Sequence, residues 1–175
     1  NLPPEEFAAR LSLCGPSVER SYPQGEHLEK VLVGEVLKIK PHPHADKLRL
    51  AEVDIGKRKL EIVCGGSNLK EGMKVAVALV GAKVKWHGEG ELIELAPAEI
   101  RGVKSEGMIC AANEIGLYDY FPHAEREIMD LSFLDVAAGT SVREALGLDD
   151  VVFDIEVTTN RPDAMGVIGL AREVG

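Results

Sequence analysis

The amino-acid sequence predicts a mainly β protein in which a small barrel interrupts a second, α/β unit. Between residues 30 and 110, several short strand patterns are separated by glycine turns with little helix between them. The same stretch holds every lysine of the chain, whereas both flanking segments are acidic; the first has a helix pattern, and the last has helix patterns on either side of a strand pattern. We therefore expect a discontinuous α/β unit over residues 1–29 and 138–175, with the barrel domain inserted at 30–137.

A short helix is predicted near the start of the chain. Pro4 suits the first helical position, and the two glutamates that follow favour the positive end of a helix. Phe7 and Leu11 share one face, and Gly15 can end the element.

The barrel strands are predicted from β-forming residues bounded by glycines. Gly34 interrupts the first pattern and indicates a bulge or tight bend. The segment 41–46 is predicted to be a loop because Pro41 lacks a backbone N–H. A helical turn is expected near 69–73. Five strands with one such turn fit an OB-type barrel, with a small sandwich as the alternative; they are predicted at 31–39, 48–55, 60–64, 75–80 and 99–103.

The last segment returns to mixed elements. Ser141 and Glu144 form an S-x-x-E pattern that predicts a short helix ending at Gly147. Apolar residues alternate with acidic ones over 153–157, which indicates a half-buried strand. Pro162 then opens a predicted helix with one apolar face. These elements assign the end of the chain to the α/β unit.

The charge is unevenly distributed along the 175 residues. The net charge is −9, yet residues 30–110 hold 14 basic and 11 acidic side chains and the remainder holds 6 and 18. Such an asymmetry indicates a nucleic-acid-binding face, although solvated charges distributed by chance would look the same.

Motifs for catalysis and metal binding are weak. The glycine-rich segments match neither a P-loop nor a dinucleotide fingerprint. Ser105 lies in an incomplete nucleophile-elbow pattern, and a small hydrolase centred on it is a further alternative. His42, His44 and Asp46 could begin a zinc site, but only His87 offers a further ligand. We expect neither catalytic residues nor a metal.

Cysteine usage indicates a reducing compartment. Cys14, Cys64 and Cys110 are odd in number and widely spaced, so a cytoplasmic protein is expected. The absence of an initiator Met and the abrupt end of the last apolar pattern suggest a fragment.

Several motifs together resemble a known family. The segments VGEV (33–36), HPHADKL (42–48), VDIG (53–56), IVCG (62–65) and RGVKSEGM (101–108) resemble the tRNA-binding OB domain of aminoacyl-tRNA synthetases and their accessory proteins. The flanks, including EVT (156–158), NRPD (160–163) and GLARE (169–173), are similar to the bacterial phenylalanyl-tRNA synthetase β subunit.

This resemblance implies a function in protein biosynthesis. It implies an N-terminal part of a ligase subunit that binds tRNA(Phe) without reacting, within an (αβ)₂ enzyme whose α subunit carries the synthetic site. ATP and magnesium are then implied for the whole enzyme and not for this segment. The alternative is a free-standing, dimeric tRNA-binding or chaperone-like OB protein, which needs nothing after the barrel.

Candidate RNA contacts follow from charge, strand alternation and the family motif. Lys38 and Lys40 alternate with apolar neighbours and are expected to point outward, as is Arg49. Asn68, Ser105 and Met108 match the family motif; turn stabilisation is the alternative for the first two and core packing for the third. The complete predicted set is Lys38, Lys40, Lys47, Arg49, Asn68, Lys83, Lys85, Arg101, Lys104, Ser105 and Met108.

Overall fold

A computed structural model describes residues 2–174. Its helices are α1 (Pro4–Leu13), α2 (Val142–Ala145) and α3 (Val167–Val174). Its strands are β1 (Ser17–Pro23), β2 (Val31–His42), β3 (Ala45–Asp54), β4 (Lys59–Cys64), β5 (Lys74–Leu79), β6 (Lys83–Lys85), β7 (Leu92–Glu94), β8 (Ala98–Ile100), β9 (Val103–Ser105), β10 (Gly107–Ile109) and β11 (Val151–Glu156). No helix in this part of the chain is long and apolar enough to cross a membrane.

The chain divides into two compact units. One contains Gly25–Leu148, and the other combines the residues up to Gln24 with those from Asp149 on. These limits differ from 30 and 137 because Leu28 and Val142 are both fully buried in the core of the barrel unit. The Val33 amide also donates to the Thr140 carbonyl at 2.8 Å, which ties residues after 137 to β2.

The barrel is an antiparallel sheet in the order β10-β5-β2-β3-β4. It closes where the segment before β10 meets β4, since the Glu106 amide donates to the Glu61 carbonyl at 3.1 Å. The Glu106 carboxylate accepts a hydrogen bond from the Glu61 amide in return, at 2.9 Å. A nearly closed five-stranded barrel confirms the OB-type prediction over the sandwich.

Two apolar clusters stabilise the barrel unit. The barrel interior contains Val36, Val53, Leu60 and Ile62. The second cluster lies on the other face of β2 and β5 and includes Val31, Val33, Ala76 and Ala78, covered by Leu131 and other residues from later segments. Both faces of β5 are therefore buried, which explains its continuous apolar sequence.

Several local predictions for the barrel are wrong. The predicted strand at 99–103 is a hairpin, because Arg101 and Gly102 adopt φ of +52° and +84° and turn the chain; the fifth barrel strand is β10. The predicted loop at 41–46 is also a hairpin, with only residues 43 and 44 outside the strands. Beyond Glu35, β2 pairs with β3 alone, so an edge is free to accommodate Pro41.

Two further differences involve glycines. Gly34 does not mark a bulge; the register shifts between Val36 and Lys38, while a Cβ at Gly34 would lie 2.6 Å from the Val53 side chain. The expected helical turn at 69–73 is a simple turn, since Gly72 adopts a φ of +79°.

The terminal unit consists of α1, the antiparallel pair β1–β11 and α3. Phe7 packs against Phe153 with ring centroids 5.2 Å apart. The guanidinium of Arg161 donates to the Cys14 carbonyl at 2.8 Å and binds the carboxylates of Asp163 and Glu173. Besides apolar burial, the hydrogen bonds and ion pairs of Arg161 hold three segments of this unit together.

The predicted helices α1 and α2 and the strand around 153–157 are present, with two differences from expectation. The Ser141 side chain makes no capping hydrogen bond. The helix expected from Pro162 is divided into a 3₁₀ turn, Pro162–Ala164, and α3, because Gly166 adopts a φ of +97°. The strand β1 was not predicted. Its first two residues are half-buried and the other five are exposed, so it shows no alternating apolar pattern.

Candidate nucleic-acid interface

The tip of the β2–β3 hairpin carries two of the predicted cations. Lys40 lies on β2 and Lys47 on β3, and both side chains are exposed. The strands are joined by residues 43 and 44, so both lysines lie within a few residues of one sharp turn. The hairpin therefore presents positive charge at one end of the barrel.

A second hairpin, β8–β9, carries two further predicted cations. Arg101 occupies the turn with its φ of +52°, and Lys104 follows on β9 opposite Glu99; both cations are exposed. Positive φ at both central residues is the type I′ geometry, which twists the two strands in the sense that they prefer. This hairpin lies in the connection between β5 and β10, a connection that OB barrels use for oligonucleotide binding.

His42 joins the two hairpins. Its Nε2 donates to the Ile100 carbonyl on β8 at 3.1 Å, and its Nδ1 accepts the His44 backbone N–H at 3.1 Å. This pattern requires a neutral imidazole with its proton on Nε2. Both ring nitrogens are thus used within the fold, and no cluster of three potential metal ligands occurs among residues 2–174.

Lys38 is also exposed but has an acidic neighbour. It faces Glu52 across the β2–β3 pair, and the Glu52 carboxylate binds Lys59 at 3.2 Å. The outer face of the sheet is therefore mixed in charge around Lys38, and Lys40, opposite Leu50, lies nearer the hairpin tip.

Arg49 points the opposite way from its prediction. It shares the strand phase of Ala51 and Val53, which face the barrel interior, and not that of the outward residues. Its guanidinium donates to the carbonyls of Leu69 at 3.1 Å and Ser67 at 3.5 Å. The Arg49 guanidinium therefore stabilises the segment that follows β4, at the end of the barrel.

Asn68 and Ser105 make hydrogen bonds within the protein. The Asn68 side chain donates to the Ile128 carbonyl and accepts from the Ile128 amide, both at 2.9 Å. The Ser105 hydroxyl accepts the Val63 amide at 3.1 Å and donates to the Gly107 carbonyl at 2.7 Å. These contacts match the turn-stabilising alternative for both residues, and a hydroxyl that donates to a carbonyl is not activated as a nucleophile.

Lys83 and Lys85 lie apart from the two hairpins in sheet order. They occupy β6, which pairs only with β7, and Lys83 faces Glu94 across that pair. Val84 between them is fully buried in the second apolar cluster. The His42 hydrogen bond therefore connects the two hairpins that carry Lys40, Lys47, Arg101 and Lys104. No such bond connects these hairpins to Lys83 or Lys85 among the described residues.

A groove of about 710 Å³ lies in the barrel unit next to the first hairpin. Lys47 and Met108 line it, and Met108 also packs partly against the second apolar cluster. His87 and Arg126 line it as well, although neither was predicted as a binding residue. Both residues have a positive backbone φ, 53° for His87 and 66° for Arg126, which residues other than glycine rarely adopt.

Burial changes the acidity of three groups near this groove. It raises the pKa of the Glu114 carboxyl, opposed by the Ala111 amide and the nearby histidines. It likewise raises the pKa of the Cys64 and Cys110 thiols. A raised pKa favours the protonated thiol, and a buried, protonated thiol is a poor nucleophile.

The comparisons with known proteins agree with this architecture. Residues 31–140 match the family described as "Putative tRNA binding domain". The chain is 44% identical over 175 residues to the phenylalanine–tRNA ligase β subunit of Legionella pneumophila strain Lens, covering 99% of the chain and 21% of the relative. It is 44% identical over 172 residues to the corresponding subunit of Coxiella burnetii, covering 98% and 20%.

The chain thus spans about a fifth of the length of these curated relatives. Among solved structures, a MetRS-related protein from Pyrococcus horikoshii is similar, with 22% identity, a TM-score of 0.44, and coverage of 64% of this chain and 87% of that one. The resemblance expected from the sequence motifs is confirmed. Since the family match covers more than half of the residues, the chain belongs to the tRNA-binding domain family.

Proposed function

We propose that this protein binds tRNA as a non-catalytic module of a phenylalanine–tRNA ligase β subunit. The observation that carries the proposal is the pair of cationic hairpin tips held together by the His42–Ile100 hydrogen bond, within a barrel of the tRNA-binding family. Cationic groups along an OB barrel bind the phosphate backbone without reading its sequence.

The cations that act in this proposal are Lys40, Lys47, Arg101 and Lys104, with Lys38 beside them. They are exposed and contribute charge at one end of the barrel, whereas Arg49 is engaged by carbonyls. Aromatic residues make up only 5% of the chain and Trp86 is the only tryptophan, so aromatic stacking contributes little and phosphate contacts dominate.

The larger assembly is part of the same proposal. The relatives are ligase β subunits, and their similarity covers 97–99% of this chain, beyond the 31–140 match. That extent favours a ligase subunit over a free-standing tRNA-binding protein. We infer an α-subunit partner in an (αβ)₂ enzyme in the cytoplasm, with ATP and magnesium serving that whole enzyme.

The test is a charge reversal within the 175-residue chain. Lys38→Glu with Lys40→Glu should weaken tRNA retention on filters at low salt by about tenfold, since two phosphate contacts are replaced by repulsion. The control is Lys57→Glu with Arg58→Glu, which changes the net charge equally in the exposed turn between β3 and β4, at the other end of β3. Equal losses in both variants, or none in the first, would contradict the proposed interface.

A further inference from the structure

The groove in the barrel unit combines an apolar lining with acidic groups. Leu48, Val63, Met108 and Ile109 contribute apolar surface, whereas Glu114 is one of three glutamates that line it. Its volume of about 710 Å³ is within the range of sites that bind small organic molecules. A flat, partly apolar ligand therefore fits this lining better than a phosphate does.

One side of the groove is held by a hydrogen-bonded network. The His123 Nε2 donates to the Asn113 side-chain oxygen at 3.1 Å, and the Asn113 amide donates to the His87 carbonyl at 3.5 Å. His87 and Arg126 are two of the four non-glycine residues between 2 and 174 with positive φ. Strained backbone of this kind is concentrated at ligand sites, because the surrounding structure must maintain it.

The acidic groups restrict which ligand can bind. Glu114 Oε2 accepts the Ala111 amide at 2.7 Å, which leaves Oε1 without a donor among the described residues. Glu127 Oε2 accepts the Ala124 amide at 2.9 Å in the same way. An ionised carboxylate only accepts hydrogen bonds, so the edge of the ligand that faces it must donate.

Among the bases of RNA, guanine presents two adjacent donors, N1–H and the N2 amino group. Adenine and cytosine place an acceptor nitrogen beside their amino group, and the uracil N–H lies between two carbonyls. Two parallel hydrogen bonds to one carboxylate are stronger and more selective than one. RNA-binding proteins read unstacked bases in this way, by their Watson–Crick edges.

We propose that the groove binds one unstacked guanine of the RNA, whose Watson–Crick edge donates to the Glu114 carboxylate. The base contacts Met108 and Leu48, and Lys47 and Arg126 are the cations in the lining that can bind its phosphate. This proposal deepens the proposed tRNA binding and rests on it. It adds a site of base selection to an interface that otherwise contacts phosphates.

Mononucleotides and the complete 175-residue chain test the proposal. We expect GMP to shift the methyl NMR signal of Met108, assigned with Met108→Leu, and to bind about tenfold more tightly than AMP or UMP. Trp86 fluorescence follows the same titration, because the Trp86 and His87 rings lie 5.1 Å apart between centroids. Inorganic phosphate should leave the Met108 signal unchanged.

Two matched variants distinguish a loss of the preference for GMP from a loss of folding. Glu114→Gln should remove the preference for GMP, whereas Glu91→Gln, in the exposed segment before β7, should retain it. Equal binding of all nucleotides, or no shift at Met108 in a well-folded chain, would overturn the guanine site. The filter assay with Lys38 and Lys40 variants does not depend on this result, so tRNA binding without nucleotide selectivity would refute only the groove proposal.

Discussion

The Ser105 hydroxyl accepts a hydrogen bond from the Val63 amide at 3.1 Å and so joins β9, just before the last barrel strand, to β4. The same hydroxyl donates to the Gly107 carbonyl, and the neighbouring Glu106 forms two hydrogen bonds with Glu61. A residue that the family motif places at the RNA face thus closes the barrel. Its loss should therefore be detected first as a loss of stability.

Ser105→Ala should reduce the free energy of unfolding by about 1–2 kcal/mol, because the Val63 amide loses its acceptor in a buried site. Urea unfolding of the 175-residue chain measures this change. Ser67→Ala is the control, since that hydroxyl is exposed and makes one longer bond, of 3.3 Å, to the Arg126 carbonyl. A stable Ser105→Ala protein with weakened tRNA binding would instead assign the hydroxyl to the RNA.

His42→Ala should weaken tRNA binding several-fold without changing the number of basic residues that face the RNA. The variant removes the hydrogen bond to Ile100 and with it the coupling between the two cationic hairpins. His44→Ala is the control, because it keeps the backbone hydrogen bond to His42 and removes only an exposed ring that contacts the His42 ring edge to face, with centroids 6.3 Å apart. Filter binding at fixed salt measures both, and equal losses would show that the coupling has no part in binding.

A fragment of residues 25–148 should fold cooperatively, whereas 30–137 should be much less stable. The shorter fragment lacks Leu28 and Val142, both fully buried, and each such loss costs about 2–4 kcal/mol. Urea denaturation of both fragments compares them directly. Equal midpoints would mean that the residues beyond 30 and 137 are not part of the barrel's core.

Glu114→Gln should stabilise the protein at pH 7, and this gain should decline as the pH falls. Burial raises the pKa of the folded-state carboxyl above its ordinary 4.5, so ionisation opposes folding. The penalty is complete above the folded-state pKa and disappears below 4.5. Unfolding measured at pH 7 and pH 4.5 tests the sign; a gain that grows toward low pH would contradict it.

The architecture of the barrel could be predicted because apolar alternation and glycine turns are local signals. Gly72 and the Arg101–Gly102 turn show where such signals failed, since a glycine permits positive φ without requiring it and the sequence does not say which glycine adopts it. Arg49 was assigned to the outer face from Leu48 and Leu50, but its phase follows Ala51, and that requires the register of the whole sheet.

The candidate cations could be chosen from the sequence, but their arrangement in the folded chain could not. Lys40, Lys47 and Arg101 could be chosen from the sequence by charge, strand alternation and the family motif, and all three side chains are exposed. The His42–Ile100 contact spans 58 residues, and no local pattern encodes it. The groove around Glu114 and His87 likewise forms only when distant loops meet.

The salt dependence of tRNA binding tests the central claim most directly. Between about 50 and 200 mM salt, the logarithm of the association constant should fall against that of the salt concentration with a slope of about −3 to −4, from four or five phosphate contacts. Replacing Lys40, Lys47, Arg101 and Lys104 by glutamine should bring the slope to about −1 or weaker. A slope unchanged by these four substitutions would contradict binding through the two hairpins.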